Sequence, residues 1–394
     1  MRILYLHQYF RKPSEGGALR SYYLSTALAK AGHEVELVTA YNGKTYKTEI
    51  IAGVKVHYLP VAYDNRYGFP ARIKAFLKFS WQSTRLAFKL KNVDVCFATS
   101  TPLTIGIPAL LLKKFRGTPY FFEVRDLWPE APVQLGFIRN ELLKTVLFWF
   151  EKLLYRNATK IVALSPGMVA GVKKYKLPVP VFLIPNIADC RFYQPVFTEK
   201  VSASTPFVIS YLGTLGRANR VDFLLDIAKL CQEMNLHQVK FLIAGSGAES
   251  RHLKQKAQKL NLHNVTFTGH FNRHQVQELL NRSAATYTSF AKFPVLETNS
   301  PNKFFDSLAA GKLCLVNTKG WLQDLVEKNN CGFYADPNQP TAFVQKLLPY
   351  LTDPTLLKTC QRNARELAER EFSREKLSRK FVAMFENNSI KVNQ

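Results

Sequence analysis

Short apolar runs alternate with longer segments of helical period along the whole chain, and the alternation starts afresh at Phe207. A strand that is apolar at consecutive positions needs cover on both faces, which helices crossing between parallel strands provide. In the first half the pattern predicts strands at Ile3–Leu6, Glu34–Thr39, Val54–Tyr58, Val93–Ala98, Tyr120–Glu123, Ile161–Leu164 and Val181–Ile184, with a helix over Ala18–Ala31 stopped by Gly32. Periodicity fades over Asp189–Thr205, the expected linker. The second half predicts strands at Phe207–Leu212, Val239–Ala244, Val265–Thr268, Ala285–Thr288, Leu313–Val316 and Gly332–Tyr334, with a helix over Val221–Glu233. The fold class is therefore α/β: two doubly wound Rossmann-like domains facing each other across a cleft, where a ligand would meet the C-terminal ends of the strands. The domain limits are 1–190 and 205–371. Apolar spacing at Phe372, Leu377, Phe381, Met384 and Phe385 predicts a final helix, within 372–394, that packs back on the first domain.

A chain of 394 residues, 47% hydrophobic, can build two such cores. No apolar run reaches the roughly 20 residues of a membrane span, and the N-terminus lacks the pattern of a signal peptide, so a cytoplasmic location is expected. The six cysteines form no Cys-x-x-Cys pair and the eight histidines show no ligand spacing, which favours buried thiols over metal or disulfide chemistry. The formal net charge is +25, and residues 1–195 carry 28 Lys and Arg against 12 Asp and Glu. Such a protein seeks anionic partners. From Asn65 to Val93 stand Arg66, Arg72, Lys74, Lys78, Arg85, Lys89 and Lys91 with no acidic residue, interleaved with Phe69, Phe76, Phe79, Trp81 and Phe88. That is the composition of a helix lying on an anionic membrane surface; a core helix with a solvated basic face has the same signature. Nucleic-acid binding is disfavoured, since no motif for it is present.

Chemistry concentrates at loops that leave strand ends. Thr298–Lys312 reads as a polar loop entering a helix, with Ser300 and Asn302 as capping candidates and Pro301 at the entrance. Free amides there, with Lys303, suit a phosphate, and Asp306 one turn deeper can accept hydrogen bonds from two sugar hydroxyls. An ordinary capped helix is the plainer alternative. Gly213 to Arg220 is a glycine turn bearing Arg217 and Arg220, whose guanidinium groups suit phosphate oxygens. Gly245-Ser246-Gly247 could admit a base or ribose against bare backbone, or be a simple turn, and the same holds for Gly16-Gly17 after the first strand. Glu123-Val124-Arg125-Asp126-Leu127-Trp128-Pro129-Glu130 crowds three carboxylates and an arginine at a strand end beside bulky apolar residues. Shielding of this kind gives carboxylates catalytic roles, with Asp126 the preferred candidate, Arg125 beside it and Glu297 from the other domain.

These segments together resemble GT-B-fold glycosyltransferases of family 4, over essentially the full length. The nearest likeness is to the O-antigen and capsule branch that includes N-acetyl-L-fucosamine transferases. The resemblance rests on Gly16-Gly17 with Arg20, on Gly213-Thr214-Leu215-Gly216, on Ser300-Pro301-Asn302-Lys303-Phe304-Phe305-Asp306, and most specifically on Asp126-Leu127-Trp128-Pro129-Glu130. It implies a retaining transfer from a nucleotide-sugar, UDP-linked by expectation, to a polyprenyl-diphosphate-linked or saccharide acceptor. The enzyme would sit at the inner face of the cytoplasmic membrane, with no metal and no cofactor besides the donor. It also implies that Asp306 serves the nucleotide ribose. The chain departs from the family in two places. Eight residues before Asp306 stands Thr298, with the glutamate one place earlier at Glu297, and Asn219 stands where the family's phosphate-binding lysine falls. Arg217, Arg220 or Lys303 would then carry the phosphate. Two rival readings are a nucleotide-sugar epimerase of the same fold and a non-catalytic basic protein that binds membrane or polysaccharide.

Overall fold

Burial on both faces shapes the central strands of the first sheet, and the helices that provide it come from the intervening chain. The computed structural model describes residues 1–64, 67–198, 205–269 and 271–386. The chain divides into two compact units, residues 1–185 with 375–394 and residues 186–374.

The first unit contains β1 (Arg2–Leu6), α1 (Arg20–Lys30), β2 (Glu34–Tyr41), β3 (Lys47–Ile51), β4 (Val54–Pro60), α2 (Phe69–Lys89), β5 (Val95–Thr99) and α3 (Gly106–Arg116). It continues with β6 (Tyr120–Val124), α4 (Glu130–Gln134), α5 (Glu141–Asn157), β7 (Lys160–Ala163), α6 (Pro166–Lys173) and β8 (Val181–Leu183). The eight strands lie in the order β3-β4-β2-β1-β5-β6-β7-β8. All pairs are parallel except β3 with β4. The antiparallel β3 leaves no apolar signature in the sequence because it is a mostly polar edge, with Ile50 77% exposed. Helix α3 touches both α2 and α5, so these three form one layer; Gly106 leaves room for Leu154, which a Cβ there would approach to 2.4 Å.

The second unit contains β9 (Phe207–Leu212), α7 (Asp222–Glu233), β10 (Val239–Ala244), α8 (Ser250–Lys259), β11 (Val265–Gly269), α9 (Arg273–Asn281), β12 (Ala285–Thr288) and α10 (Asn302–Ala309). It ends with β13 (Leu313–Val316), α11 (Trp321–Lys328), β14 (Gly332–Tyr334), α12 (Pro340–Thr352), α13 (Pro354–Leu367) and a π turn over Ala368–Phe372. Its six strands run in the order β11-β10-β9-β12-β13-β14, all parallel. Each unit is thus a Rossmann-like parallel α/β layer structure.

Helix α14 (Arg374–Glu386) belongs to the first unit from Glu375 onward. Phe381 and Phe385 pack on Phe97, at ring separations of 5.0 and 6.0 Å, and Phe385 lies 4.9 Å from Phe121.

The division between units falls at Pro185/Asn186, ahead of the linker expected at 189–205. Residues 189–198 are stitched to the second unit: Asp189 pairs with Arg273, Lys312 donates to the Val196 carbonyl, and Arg365 donates to the carbonyls of Cys190 and Tyr193. Loss of periodicity there marks irregular chain held by side chains rather than a free connection. Residues 199–204 lie outside the described residues. Five of the six cysteines are buried.

The basic segment forms α2, with Asn65 and Arg66 outside the described residues. One face is core: Ala75, Phe79, Ser83 and Ala87 are buried. Lys74, Lys78, Arg85 and Lys89 are exposed, as are Leu77 and Trp81. The helix therefore combines a core face with an exposed basic and aromatic one. Among the described residues no helix is long and apolar enough to cross a membrane.

Candidate active site

In the second unit, the loops at the C-terminal ends of β9 and β12 meet at Lys303, with Tyr211, Gly213 and Asn219 on one side and Phe290 on the other. Its ammonium donates to the Tyr211 hydroxyl at 2.8 Å and lies 3.4 Å from the Asn219 side-chain oxygen. It also sits 4.2 Å from the centre of the Tyr211 ring. Among the described residues it has no carboxylate partner, and burial pushes its pKa down to about 7. A cation so placed lacks an anion, and an incoming phosphate would supply one.

Lys303 occupies the first turn of α10. Ser300 and Asn302 do not cap that helix. The N-cap position is Pro301, without a side-chain bond, and Asn302 is the first helical residue. Ser300 is instead buried and accepts from Asn186, its hydroxyl from the Asn186 amide and its carbonyl from the Asn186 side chain. A proline has no hydroxyl or carboxylate to offer, so no side chain of this segment occupies the amides that start α10. The entry is fixed elsewhere: Trp321 donates its indole N–H to the Asn299 carbonyl at 2.8 Å.

Asp306, one turn on, accepts no hydrogen bond among the described residues. Burial raises its pKa to about 7, with the nearby Arg273 opposing and Asp189 reinforcing the rise. Arg273 is itself fixed, paired with Asp189 and stacked 3.6 Å over Phe192.

The glycines have a packing role. Gly213 lies against Lys303: a Cβ there would stand 3.3 Å from Nζ. A Cβ on Gly245 would fall 1.8 Å from the Gly213 carbonyl oxygen, and one on Gly247 2.2 Å from that of Leu215. The two turns are laced by Gly213 N–H to Ala244 O and Leu215 N–H to Ser246 O, both 2.9 Å. Gly245 is thus needed for contact between loops, which answers for its conformation without a ligand.

The two arginines differ. Arg220 is engaged by Asp222 at 3.0 Å. Arg217 is exposed and forms no ion pair among the described residues. Glu297 lies in a short 3-10 helix over Pro294–Thr298, and Thr298 donates to the Val295 carbonyl.

In the first unit the crowded carboxylates separate by partner. Glu123 is fully buried and paired with the equally buried Arg20, 2.8 Å away. Arg20 also donates to the carbonyls of Ile184 and Pro185. Both residues of this pair are structural. Glu130 accepts from Gln134 at 2.7 Å and lies 3.4 Å from Lys174. Asp126 alone of the three accepts no hydrogen bond among the described residues, and burial raises its pKa to about 6 against the pull of Arg125. Arg125 donates to His7 Nε2 at 3.0 Å, and its amide to the Ser100 hydroxyl. His7, which carries no motif in the sequence, is held neutral: burial and the cations Arg125 and Arg20 push its pKa well down. Gly16 and Gly17 both take positive φ in the loop before α1.

Residues 15–186 match the family described as glycosyl transferase 4-like domain, and residues 195–367 match glycosyl transferases group 1. The chain is a family 4-like GT-B glycosyltransferase. This glycosyltransferase is 24% identical over 275 residues to a phosphatidylinositol N-acetylglucosaminyltransferase subunit of Arabidopsis thaliana, a match covering 66% of this chain and 56% of that protein. The chain thus spans little more than half of that relative's length. Among solved structures it superposes on sucrose-phosphate synthase from Thermosynechococcus elongatus with a TM-score of 0.79, at 18% identity and 98% coverage of both chains. Anabaena Alr3699/HepE in complex with UDP-glucose gives 0.69, at 16% identity, covering 98% of this chain and 99% of that one. The two superpositions show the shared GT-B fold.

Proposed function

We propose that the protein is a retaining glycosyltransferase that moves a sugar from a UDP-linked donor to a lipid-linked or saccharide acceptor, in the assembly of cell-surface polysaccharide of the O-antigen or capsule kind. The observation that carries this reading is the half-buried Lys303 ammonium without a carboxylate, at an uncapped helix start, with the unengaged Asp306 one turn deeper.

The chemistry follows from where charge develops. As the bond from sugar to diphosphate breaks, negative charge grows on the leaving oxygen. Lys303, the first amides of α10 and the exposed Arg217 supply fixed positive potential there, so neither a metal nor a further cofactor is required. Asp306 accepts hydrogen bonds from the ribose hydroxyls. Asn219, in place of the family's lysine, contributes its oxygen to hold Lys303, so the cation reaches the same place from another element. Glu297, rather than the internally bonded Thr298, is the carboxylate assigned to the donor sugar. In the first unit, Asp126 is available as base toward the acceptor hydroxyl, with the departing phosphate as the alternative proton acceptor.

UDP is favoured by the UDP-glucose bound to the HepE relative, and a lipid acceptor by the phosphatidylinositol in the plant relative's name. The polysaccharide pathway rests on the Asp126–Glu130 run. The basic face of α2 would hold the enzyme at the inner face of the cytoplasmic membrane, beside an acceptor that cannot leave it.

The deciding experiment offers radiolabelled UDP-sugars with a polyprenyl-diphosphate-linked acceptor. One donor should pass its label to the lipid. Label recovered as a different UDP-sugar would return the epimerase reading, and absence of UDP binding would remove the donor site altogether.

A further inference from the structure

Four exposed large apolar residues of the first unit lie together on one helix, outside the basic helix α2. Helix α5 is apolar on two sides. Its core face presents Glu151, Leu154 and Tyr155, all buried, with Tyr155 donating to Glu151 at 2.8 Å. Its opposite face carries Leu142, Val146 and Trp149 at 75%, 48% and 62% exposure. Spacings of four and three residues align these three into one stripe. Leu143 beside the stripe is 43% exposed, and Phe137, just before the helix, 55%. A soluble helix places polar residues at such positions.

The neighbouring helices add exposed apolar residues of their own. Trp81 and Leu77 of α2 and Phe115 of α3 are exposed in the same layer. The same three helices carry exposed cations: Lys74, Lys78, Lys89, Lys114, Lys152 and Arg156. None of these six has a carboxylate partner among the described residues, and α2 and α3 contain no Asp or Glu. Arg85 lies 4.8 Å over the Trp81 ring, an amphipathic pairing suited to the depth where lipid headgroups meet acyl chains.

We propose that the outer face of the α2–α3–α5 layer docks on an anionic phospholipid bilayer, with the Leu142–Val146–Trp149 stripe of α5 inserted below the headgroups and the α2 cations on the lipid phosphates. The chemistry selects this partner: a protein groove offers apolar contact, but only an anionic bilayer meets a broad apolar stripe and a field of unpartnered cations together. The proposal rests on the membrane location given above and assigns insertion to a different element. Cations alone would give a salt-sensitive attachment, whereas an inserted stripe holds in salt.

Flotation with vesicles of phosphatidylglycerol and phosphatidylethanolamine tests it. Wild-type protein should float at low salt and in part at high salt. The variant Leu142→Ser/Val146→Ser/Trp149→Ser should lose about tenfold or more of its partitioning at both. Lys74→Gln/Lys78→Gln/Lys89→Gln should lose chiefly the salt-sensitive part. Lipids brominated along the acyl chain should quench tryptophan emission in wild type, and Trp149→Phe should remove much of that quenching. UDP affinity equal to wild type establishes that each variant is folded. A serine variant that floats like wild type overturns the proposal, as does Trp149 beyond reach of the bromines. A wild-type dimer that the serine variant dissociates, with neither binding vesicles, assigns the stripe to a second copy and also overturns it. Vesicle binding without sugar transfer would leave this surface standing and remove the reaction instead.

Discussion

At the scale of single residues, Lys303 and Asp306 carry opposite charges and share a pKa of about 7. Their effects on nucleotide affinity therefore run in opposite directions. The Lys303 ammonium is present below about 7 and is lost as pH rises through it, so affinity for a diphosphate declines on the alkaline side. The Asp306 carboxylate is present above about 7 and is lost as pH falls through it, so affinity through the ribose declines on the acid side. UDP binding should be strongest near neutrality. Calorimetric titration should find net proton uptake at high pH, abolished in Lys303→Met, and proton release at low pH, abolished in Asp306→Asn; an affinity flat between pH 6 and 8.5 would contradict both assignments. Asp306→Ala should weaken UDP by roughly 1.5–3 kcal/mol. Lys303→Ala should lower kcat by roughly a hundredfold, more than it raises KM, because its contact strengthens as charge leaves the sugar. The Arg20–Glu123 pair predicts a different readout. Arg20→Met strands a fully buried carboxylate and should cost about 3–5 kcal/mol in urea unfolding. The double variant with Glu123→Met should recover much of that loss, and equal destabilisation in both would show that packing, not charge, is at stake.

At the scale of elements, the turns after β9 and β10 act as one unit because their backbones touch. Gly245→Ala places a methyl group 1.8 Å from the Gly213 oxygen, at a φ of 147° that other residues avoid. The Gly213 turn must then retreat from Lys303. Nucleotide affinity should fall at least about tenfold while the second unit stays folded, read by UDP titration beside circular dichroism. Unchanged affinity would mean that the turn contributes nothing to the donor. The same closeness explains why a glycine turn in the sequence offers two readings: a backbone pressed against a ligand and a backbone pressed against another turn require the same residue.

At the scale of the whole molecule, the chain returns to its first unit after completing its second. Helix α14 covers Phe97 and Phe121 with Phe381 and Phe385, all nearly or fully inaccessible. Phe381→Ala should cost the first unit about 3–5 kcal/mol. Hydrogen exchange read by mass spectrometry should show the loss across β5 and β6 and none across β9 and β10. Equal loss in both units would show that they unfold together.

Much of this was legible in the sequence. The strands Phe207–Leu212, Val239–Ala244, Ala285–Thr288, Leu313–Val316 and Gly332–Tyr334 appear with the ends that their apolar runs predict, because a buried parallel strand must be apolar at successive positions. The Ser300–Asp306 segment stands out for a similar reason: a helix start that binds anions is a local pattern. What the sequence could not supply was partnership. Glu123, Asp126 and Glu130 look alike within one short run, and they part only because Arg20, 103 residues from Glu123, enters the core to neutralise one of them. Asn219 reads as a lost cation until the fold brings Lys303, 84 residues away, to its side chain. The stripe on α5 has no separate signature, because periodicity records that a helix has an apolar face, not how many such faces the rest of the unit covers. Local backbone preference and hydrophobic period are written along the chain; which charges are neutralised, and which apolar surface stays open to another phase, depends on contacts that only the tertiary structure makes.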